Sequence, residues 1–591
     1  MTKSVEIIDL AETSQVQLRL WDGAGRRAAP EVAFQSPLGD SDQNEIQWYF
    51  REYLDSPFGP AKERAEAVET GLRNLGRFLF EAVFGGTQEC HDLYSNVSSE
   101  GLENYRLVIV SQRPEFLGLP WELINGPEAG YLASRFASVV RQSCAEPLPQ
   151  FTPQLPTDQL NVLLVSPQPA SESDSLCGSL ATETVKVLES LNVQVELDYL
   201  RPPSFTTLAD LLSQRRQHYH LVHLDTIGCE PRSDGLVFKS PTSGKEPALV
   251  SRLAGLLSEA GVPVVLLTTG YNDTEAGLPA WSALASGLAQ GGIPVVASLP
   301  YPLPDAPTRE KFLRPFYHSL VQGVDVPSSV ARSRRALMED PRRTTMVGKQ
   351  VFWDWTIPTV YQSQEYFPQA IQAEQTSPLA PPVAQPPAES PPELQLPAPG
   401  QFGLVDRQTE LRYLEHLLRQ HSVVLLTGNT GVGKTELALG LARWMQQTGQ
   451  KDRPGGVFYT TFEASHPAGL ERVLHEIGTA ISGLDFADLT ADQQRRWVVD
   501  YLQQNPSLLT WDNLENVAGF PSGTVGLLDS EEQEELSRFL ADVAQNSRSW
   551  VLLVSRRSEE PWLSVAHTTW HLSGLNGRDR LELAGAVLEE A

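Results

Sequence analysis

Two three-layer α/β domains, each a largely parallel sheet covered on both faces by helices, are predicted to be joined by a proline-rich linker. Three observations predict this. Short apolar runs alternate with segments of helical period across 105–365, as strand and helix do in doubly covered parallel sheets. The alternation resumes from 401, around a glycine loop set between an apolar strand and a helix. Between the two lies Ser377-Pro378-Leu379-Ala380-Pro381-Pro382, continuing to Pro397-Ala398-Pro399-Gly400, where proline at such density can neither continue a helix nor donate to a ladder. The expected division is 1–104, 105–365, 366–400 and 401–591.

Composition narrows the function. A chain of 591 residues exceeds one core at roughly 100–200 residues per domain. Its 46 basic and 73 acidic residues leave a net charge of −27, a field that repels nucleic acid and anionic lipid. Cys90, Cys144, Cys177 and Cys229 are far apart with no C-x-x-C pair, which argues against a zinc site or disulfide framework and for a reducing cytoplasm. The start lacks the apolar centre of a signal peptide, and no run reaches the ~18 apolar residues of a membrane span. A cytoplasmic protein with neither nucleic acid nor membrane as partner is expected.

In residues 1–104, read as an α+β extension packing on the domain that follows, Val16-Gln17-Leu18-Arg19-Leu20 alternates like a strand. Val68, Leu72, Leu75, Leu79 and Val83 mark one face of a helix that Gly85-Gly86 stops. Buried strands are predicted at 160–165, 193–199, 220–224, 262–267 and 293–299, with helices at 181–190, 208–216, 249–260 and 281–289 between them.

Six ordered blocks within 105–365 carry a resemblance: Leu119-Pro120-Trp121-Glu122-Leu123, Gly130-Tyr131-Leu132-Ala133, Leu160 to Pro167, Tyr219 to Asp225, Gly292 to Ala297 and Phe316 to Leu320. They resemble the CHAT family of caspase-like domains, closing at Trp355 to Tyr361. In that family a histidine follows the strand that ends in aspartate, and a cysteine follows the next core strand. Here Ile227 stands at the histidine position and Gly270 at the cysteine position. Neither side chain can accept a proton or attack a carbonyl, so the resemblance implies the fold and a pseudoprotease. The alternative is a relocated nucleophile, Cys229, near His220 and His223.

In the second half, Val423 to Thr427 reads as a buried strand, Gly428-Asn429-Thr430-Gly431-Val432-Gly433-Lys434-Thr435 as a phosphate loop and Glu436 onward as a helix. Glycines let successive N–H groups curl toward a phosphate chain at the helix N-terminus. Lys434 would neutralise the outer phosphates and Thr435 would hold Mg²⁺. Asp512, closing the strand 508–512, would reach the Mg²⁺ shell, and Arg556, after the strand 550–554, would sense the terminal phosphate. The implied ligands are ATP or ADP with Mg²⁺.

Val405-Asp406-Arg407, this loop, Trp511-Asp512-Asn513 and Ser555-Arg556 together resemble the STAND signalling ATPases of NB-ARC or NACHT type. Asp406 replaces the usual glycine, and Asn513 occupies the place of a second acidic residue; an amide is no general base, so slow hydrolysis is expected, with Glu515 the remaining carboxylate nearby. His571 to Asn576 resembles the start of the lid of that class, which would be truncated or supplied elsewhere. The expectation is a bacterial signalling switch with protein partners, its assembly into a homo-oligomer on activation left open. An ATP-regulated cysteine endopeptidase using Cys229 and a nucleotide-indifferent scaffold are the alternatives.

Overall fold

Near-continuous apolar runs require cover on both faces, and the strand burial meets that requirement. In the computed structural model the described residues are 3–587 except 24, 128–129, 144–152, 167–179, 201–203, 227–229, 233, 241–243, 270–276, 346, 372–395, 401–403, 405–406, 450–453, 464–468, 483–485, 487–488, 521–523, 576–579, 581–582 and 585–586. They divide into two units, one within 1–376 and the other within 377–591.

The first unit carries, among the described residues, an eleven-stranded sheet. Its strands are β1 (Ser4–Leu10), β2 (Gln15–Trp21), β3 (Arg26–Ala33), β4 (Arg106–Val110), β5 (Ser138–Gln142), β6 (Gln159–Val165), β7 (Gln194–Leu200), β8 (Leu221–Asp225), β9 (Val264–Thr268), β10 (Val295–Leu299) and β11 (Thr359–Gln362). They lie in the order β3-β2-β1-β4-β5-β11-β10-β9-β8-β6-β7. β8, β9 and β10 are buried at every residue, so side chains on both faces of the pleat are covered. β8 and β9 run parallel, Leu221 beside Val264 and Asp225 beside Thr268. At the edge, β7 is only partly buried.

The first 33 residues do more than pack on this sheet. β1 pairs in parallel with β4, and β2 and β3 add antiparallel to it, so the segment expected as an extension prolongs the sheet itself. Helix Pro60–Phe84 buries Val68, Leu72, Leu75, Leu79 and Val83, the face that the sequence period marks.

Glu122, in the Leu-Pro-Trp-Glu block, is fully buried and grips Arg141 of β5, its Oε1 accepting from Nη1 at 2.7 Å and Oε2 from Nη2 at 2.8 Å. Arg334, on helix Val326–Glu339, lies 3.4 Å from the same carboxylate. Burial works against the Glu122 charge, but the two guanidiniums outweigh it and hold the carboxyl below its ordinary range. The cluster ties the 119–123 segment to β5 and to this helix.

The second unit holds a parallel sheet of β12 (Val423–Thr427), β13 (Val457–Thr461), β14 (Leu508–Asp512), β15 (Trp550–Val554) and β16 (Thr568–His571) in the order β13-β14-β15-β12-β16. β12, fully buried, lies between β15 and β16. The central position aims the loop that follows it at the carboxyl edge of the sheet, where open α/β sheets bind ligands.

Candidate functional site

The loop after β12 turns into helix Lys434–Thr448 through Gly433, whose φ of 95° is left-handed, a conformation that side-chain-bearing residues adopt at a cost. At Gly428 a Cβ would meet the Leu572 carbonyl oxygen at 2.9 Å, so the loop starts against the chain leaving β16. The first N–H groups of the helix have no acceptor within it and carry its positive end. These are the N–H groups that the sequence reading expects to face an anion.

Lys434 is buried and donates to the carbonyls of Gly428 at 2.8 Å and Asn429 at 3.0 Å. Burial lowers its pKa, Glu515 and Asp512 pull it back up, and Arg556 adds to the lowering. The ammonium is therefore folded onto its own loop, with the charges of three groups, Glu515, Arg556 and Asp512, acting on it. Thr435 is exposed one residue on.

Asp512 ends β14 almost wholly buried. Its Oδ1 accepts from Asn513 N at 2.8 Å and its Oδ2 from the Tyr459 hydroxyl at 2.9 Å. Burial first, and then the Asp512 charge, raise the Tyr459 pKa. Asn513, at φ 61°, turns its amide to Thr461 Oγ1 at 3.0 Å. The hydroxyl of Thr435 and the carboxylate of Asp512 are hard oxygen donors of the type Mg²⁺ prefers, so the residues present fit that ion.

Arg556 is not a free cation at the mouth. Its Nε lies 2.8 Å from Glu515 Oε1, and its backbone N donates to Glu515 Oε2 at 3.2 Å. The acid is buried while the guanidinium is 45% exposed, so the residue expected to sense phosphate is held by the acid two positions beyond Asn513.

The sequence assigns Arg407 no role of its own. Buried, it pairs with Glu410 at 2.7 Å and donates from Nη2 to the carbonyls of Val432 at 3.0 Å and Ser573 at 2.9 Å. One guanidinium thus joins the phosphate loop to the chain beyond β16. The arginine before a capless helix start is a visible signal, but its carbonyl partner 166 residues away is not. Asp406 lies outside the described residues.

In the first unit, Ile227, Gly270 and Cys229 also lie outside the described residues, as do Cys144 and Cys177; Cys90 is a buried free thiol. At the described ends of β6, β8 and β9, the Ser166 hydroxyl donates to Asp225 Oδ2 at 3.3 Å and the Thr226 hydroxyl to the Thr268 carbonyl at 2.9 Å. His220 precedes β8. Its Nδ1 accepts from Asn161 N at 3.0 Å and its Nε2 lies 2.9 Å from the Pro156 carbonyl, which occupies both nitrogens. His223 is enclosed mid-strand, with Nε2 2.9 Å from Thr268 Oγ1 and Nδ1 3.4 Å from Thr184 Oγ1; burial pushes its pKa down to about 3. Both ring nitrogens of each histidine thus lie within hydrogen-bonding reach of these partners.

A family model described as "CHAT domain" matches residues 73–378, just over half of the chain, and one described as "AAA domain" matches residues 390–548. The first match begins inside helix Pro60–Phe84, upstream of the boundary expected at 105. No curated protein matches in sequence. Among solved structures, the Aeropyrum pernix ORC2 protein is 18% identical with a TM-score of 0.25, over 32% of this chain and 52% of that one. The Walker-type ATPase of Pyrococcus abyssi is 16% identical with a TM-score of 0.23, over 32% and 59%. Domain III of the Thermotoga maritima replication initiation protein DnaA is 14% identical with a TM-score of 0.23, over 33% and 76%. The chain thus spans about half the length of the first of these. No helix among the described residues is long and apolar enough to cross a membrane.

Proposed function

Because this chain belongs to the CHAT domain family and carries an AAA-type P-loop NTPase domain after it, we propose that it is a signalling switch set by Mg·ATP and ADP. The caspase-like half acts as a docking element without protease chemistry. The observation that supports the nucleotide half most directly is the convergence of Lys434, Asp512, Glu515 and Arg556 beside a glycine loop at a helix N-terminus.

Backbone N–H groups from Gly431 to Thr435 would receive the phosphates. Lys434 would exchange its two carbonyl acceptors for phosphate oxygens, and Thr435 with Asp512 would hold the Mg²⁺, which supplies charge neutralisation between the outer phosphates. A switch moves only by differential affinity for two states, and Arg407, which links the loop to Ser573, is a path from the phosphates to the chain beyond β16. The pseudoprotease reading rests on Ile227 and Gly270 in the sequence and on the occupied ring nitrogens of His220.

Titration of the full chain with a fluorescent ATP analogue tests the nucleotide half. Lys434→Ala is expected to weaken binding at least ~30-fold, about 2 kcal/mol for a charge-assisted phosphate contact; unchanged affinity would sink the assignment. For the caspase-like half, ordinary iodoacetamide reactivity at Cys229, following a thiol pKa near ~8.5, is expected, and fast labelling below pH ~7 would favour the endopeptidase.

A further inference from the structure

Resting on that nucleotide reading, we propose that Glu515 is the carboxylate that orients the attacking water, and that its pairing with Arg556 withholds it until a terminal phosphate draws the guanidinium away.

The neighbouring polar groups are committed elsewhere. Asp512 accepts from Asn513 N and the Tyr459 hydroxyl, an arrangement that suits a metal-side carboxylate held in place. Asn513 follows it in sequence, but its amide is turned to Thr461 and cannot act as a base. Glu515 is a buried carboxylate whose field reaches Lys434 along with those of Asp512 and Arg556. Its charge thus acts on Lys434, the residue expected to meet the outer phosphates, and its partner, Arg556, is the one expected at the terminal phosphate.

Its anchoring is asymmetric. Leu514 N donates to the Val554 carbonyl at 3.0 Å, which fixes the chain just before Glu515 to the end of β15. Oε2 accepts from Arg556 backbone N, a donor that cannot swing away, whereas Oε1 is held by the half-exposed Arg556 side chain. Movement of the guanidinium toward a phosphate would free Oε1 and leave Oε2 tethered. The carboxylate would then be oriented with one acceptor oxygen open, as a water-positioning base requires.

In the step this permits, the water oxygen bonds to the terminal phosphorus while the bond from phosphorus to the bridging oxygen breaks. The bridging oxygen leaves with the electron pair on ADP. The water proton passes to Glu515 Oε1 and then to solvent, so ATP and water give ADP, inorganic phosphate and a proton. Glu515 is catalytic in this scheme and Arg556 is its positioning residue.

The test uses the full chain, with three readouts: affinity for a fluorescent ATP analogue, single-turnover hydrolysis, and the identity of the nucleotide retained after rapid desalting. For Glu515→Gln the expectation is an affinity within ~3-fold of wild type, hydrolysis slower by at least ~50-fold as befits loss of a general base, and retained ATP where wild type retains ADP. Arg556→Ala is expected to change the rate in the wild-type background and to leave it unchanged in the Glu515→Gln background. If Glu515→Gln loses its thermal transition, Glu515→Asp takes its place, expected to keep ATP binding and slow hydrolysis at least ~10-fold. Hydrolysis within ~3-fold of wild type in a variant that binds ATP normally would overturn the proposal. So would a wild-type chain that binds ATP and never cleaves it, with the nucleotide reading intact. A wild-type chain that binds no ATP would overturn both, and the affinity readout tells these cases apart.

Discussion

Tyr459 donates its hydroxyl to Asp512 Oδ2 at 2.9 Å across neighbouring strands. The bond goes to a buried carboxylate, and such bonds contribute about 1.5–3 kcal/mol. Tyr459→Phe is expected to lower the unfolding free energy by that amount in denaturant titration and to weaken Mg²⁺-dependent, but not Mg²⁺-free, nucleotide binding. A variant with wild-type stability and wild-type Mg²⁺ dependence would show that Asp512 does not rely on the phenol.

Arg407→Ala removes the donor to two loop carbonyls and the partner of Glu410. A hydrogen bond to a charged group contributes about 1.5–3 kcal/mol, and the two to Val432 and Ser573 are part-buried. ATP affinity, measured by calorimetry, should fall at least ~10-fold, which corresponds to about 1.4 kcal/mol. Arg407→Lys should recover little of the loss, because one ammonium does not reproduce the planar fork.

Glu122→Ala strands Arg141 and Arg334 as buried cations. Removing one partner of a buried pair costs about 3–5 kcal/mol, and the first unit should unfold at correspondingly lower denaturant. Arg141, still accepted by the carbonyls of Leu117 and Leu119, would soften the loss. A midpoint within error of wild type would contradict the account.

Acid stability carries the signature of His223. Burial holds its pKa at about 3, against an ordinary 6.5. Below pH 6.5 the unfolded chain binds a proton that the folded chain refuses, so stability falls by about 1.4 kcal/mol per pH unit down to about pH 3. His223→Asn gives up the Thr268 contact and is less stable at pH 7, yet between pH 7 and pH 5 it should lose about 2 kcal/mol less than wild type. Equal losses in urea titrations at the two pH values would show that the imidazole is not enclosed as described.

The site was legible where it is local. Strand, glycine loop and helix are contiguous from Val423 to Thr448, and Asp512 closes a run whose apolar character marks it as buried. Period and spacing cannot report which distant groups meet. Arg556 was readable as a cation after a strand, but its capture by Glu515 depends on β14 and β15 lying side by side. β16 is four residues, Thr568–His571, with one buried side chain, Trp570, too little pattern to mark a strand by itself. In the first unit, Glu6 and Asp9 interrupt the apolar alternation of Ser4–Leu10, which hides a strand that pairs on both sides. Asp9 is there for Arg113, whose guanidinium it receives at 2.6 Å, a partner 104 residues on.

The position of β12 between β15 and β16 has a consequence for synthesis. Both neighbours of the phosphate-loop strand are made more than a hundred residues after it, and the Ser573 carbonyl that Arg407 seeks comes later still. A ribosome adding roughly 5–20 residues per second leaves Val423–Thr427 exposed for several seconds as an apolar strand with no ladder partner. The loop can acquire its final shape only once the segment through Ser573 has emerged. During that interval these five residues are an unpaired apolar strand, the kind of segment that invites aggregation and chaperone capture.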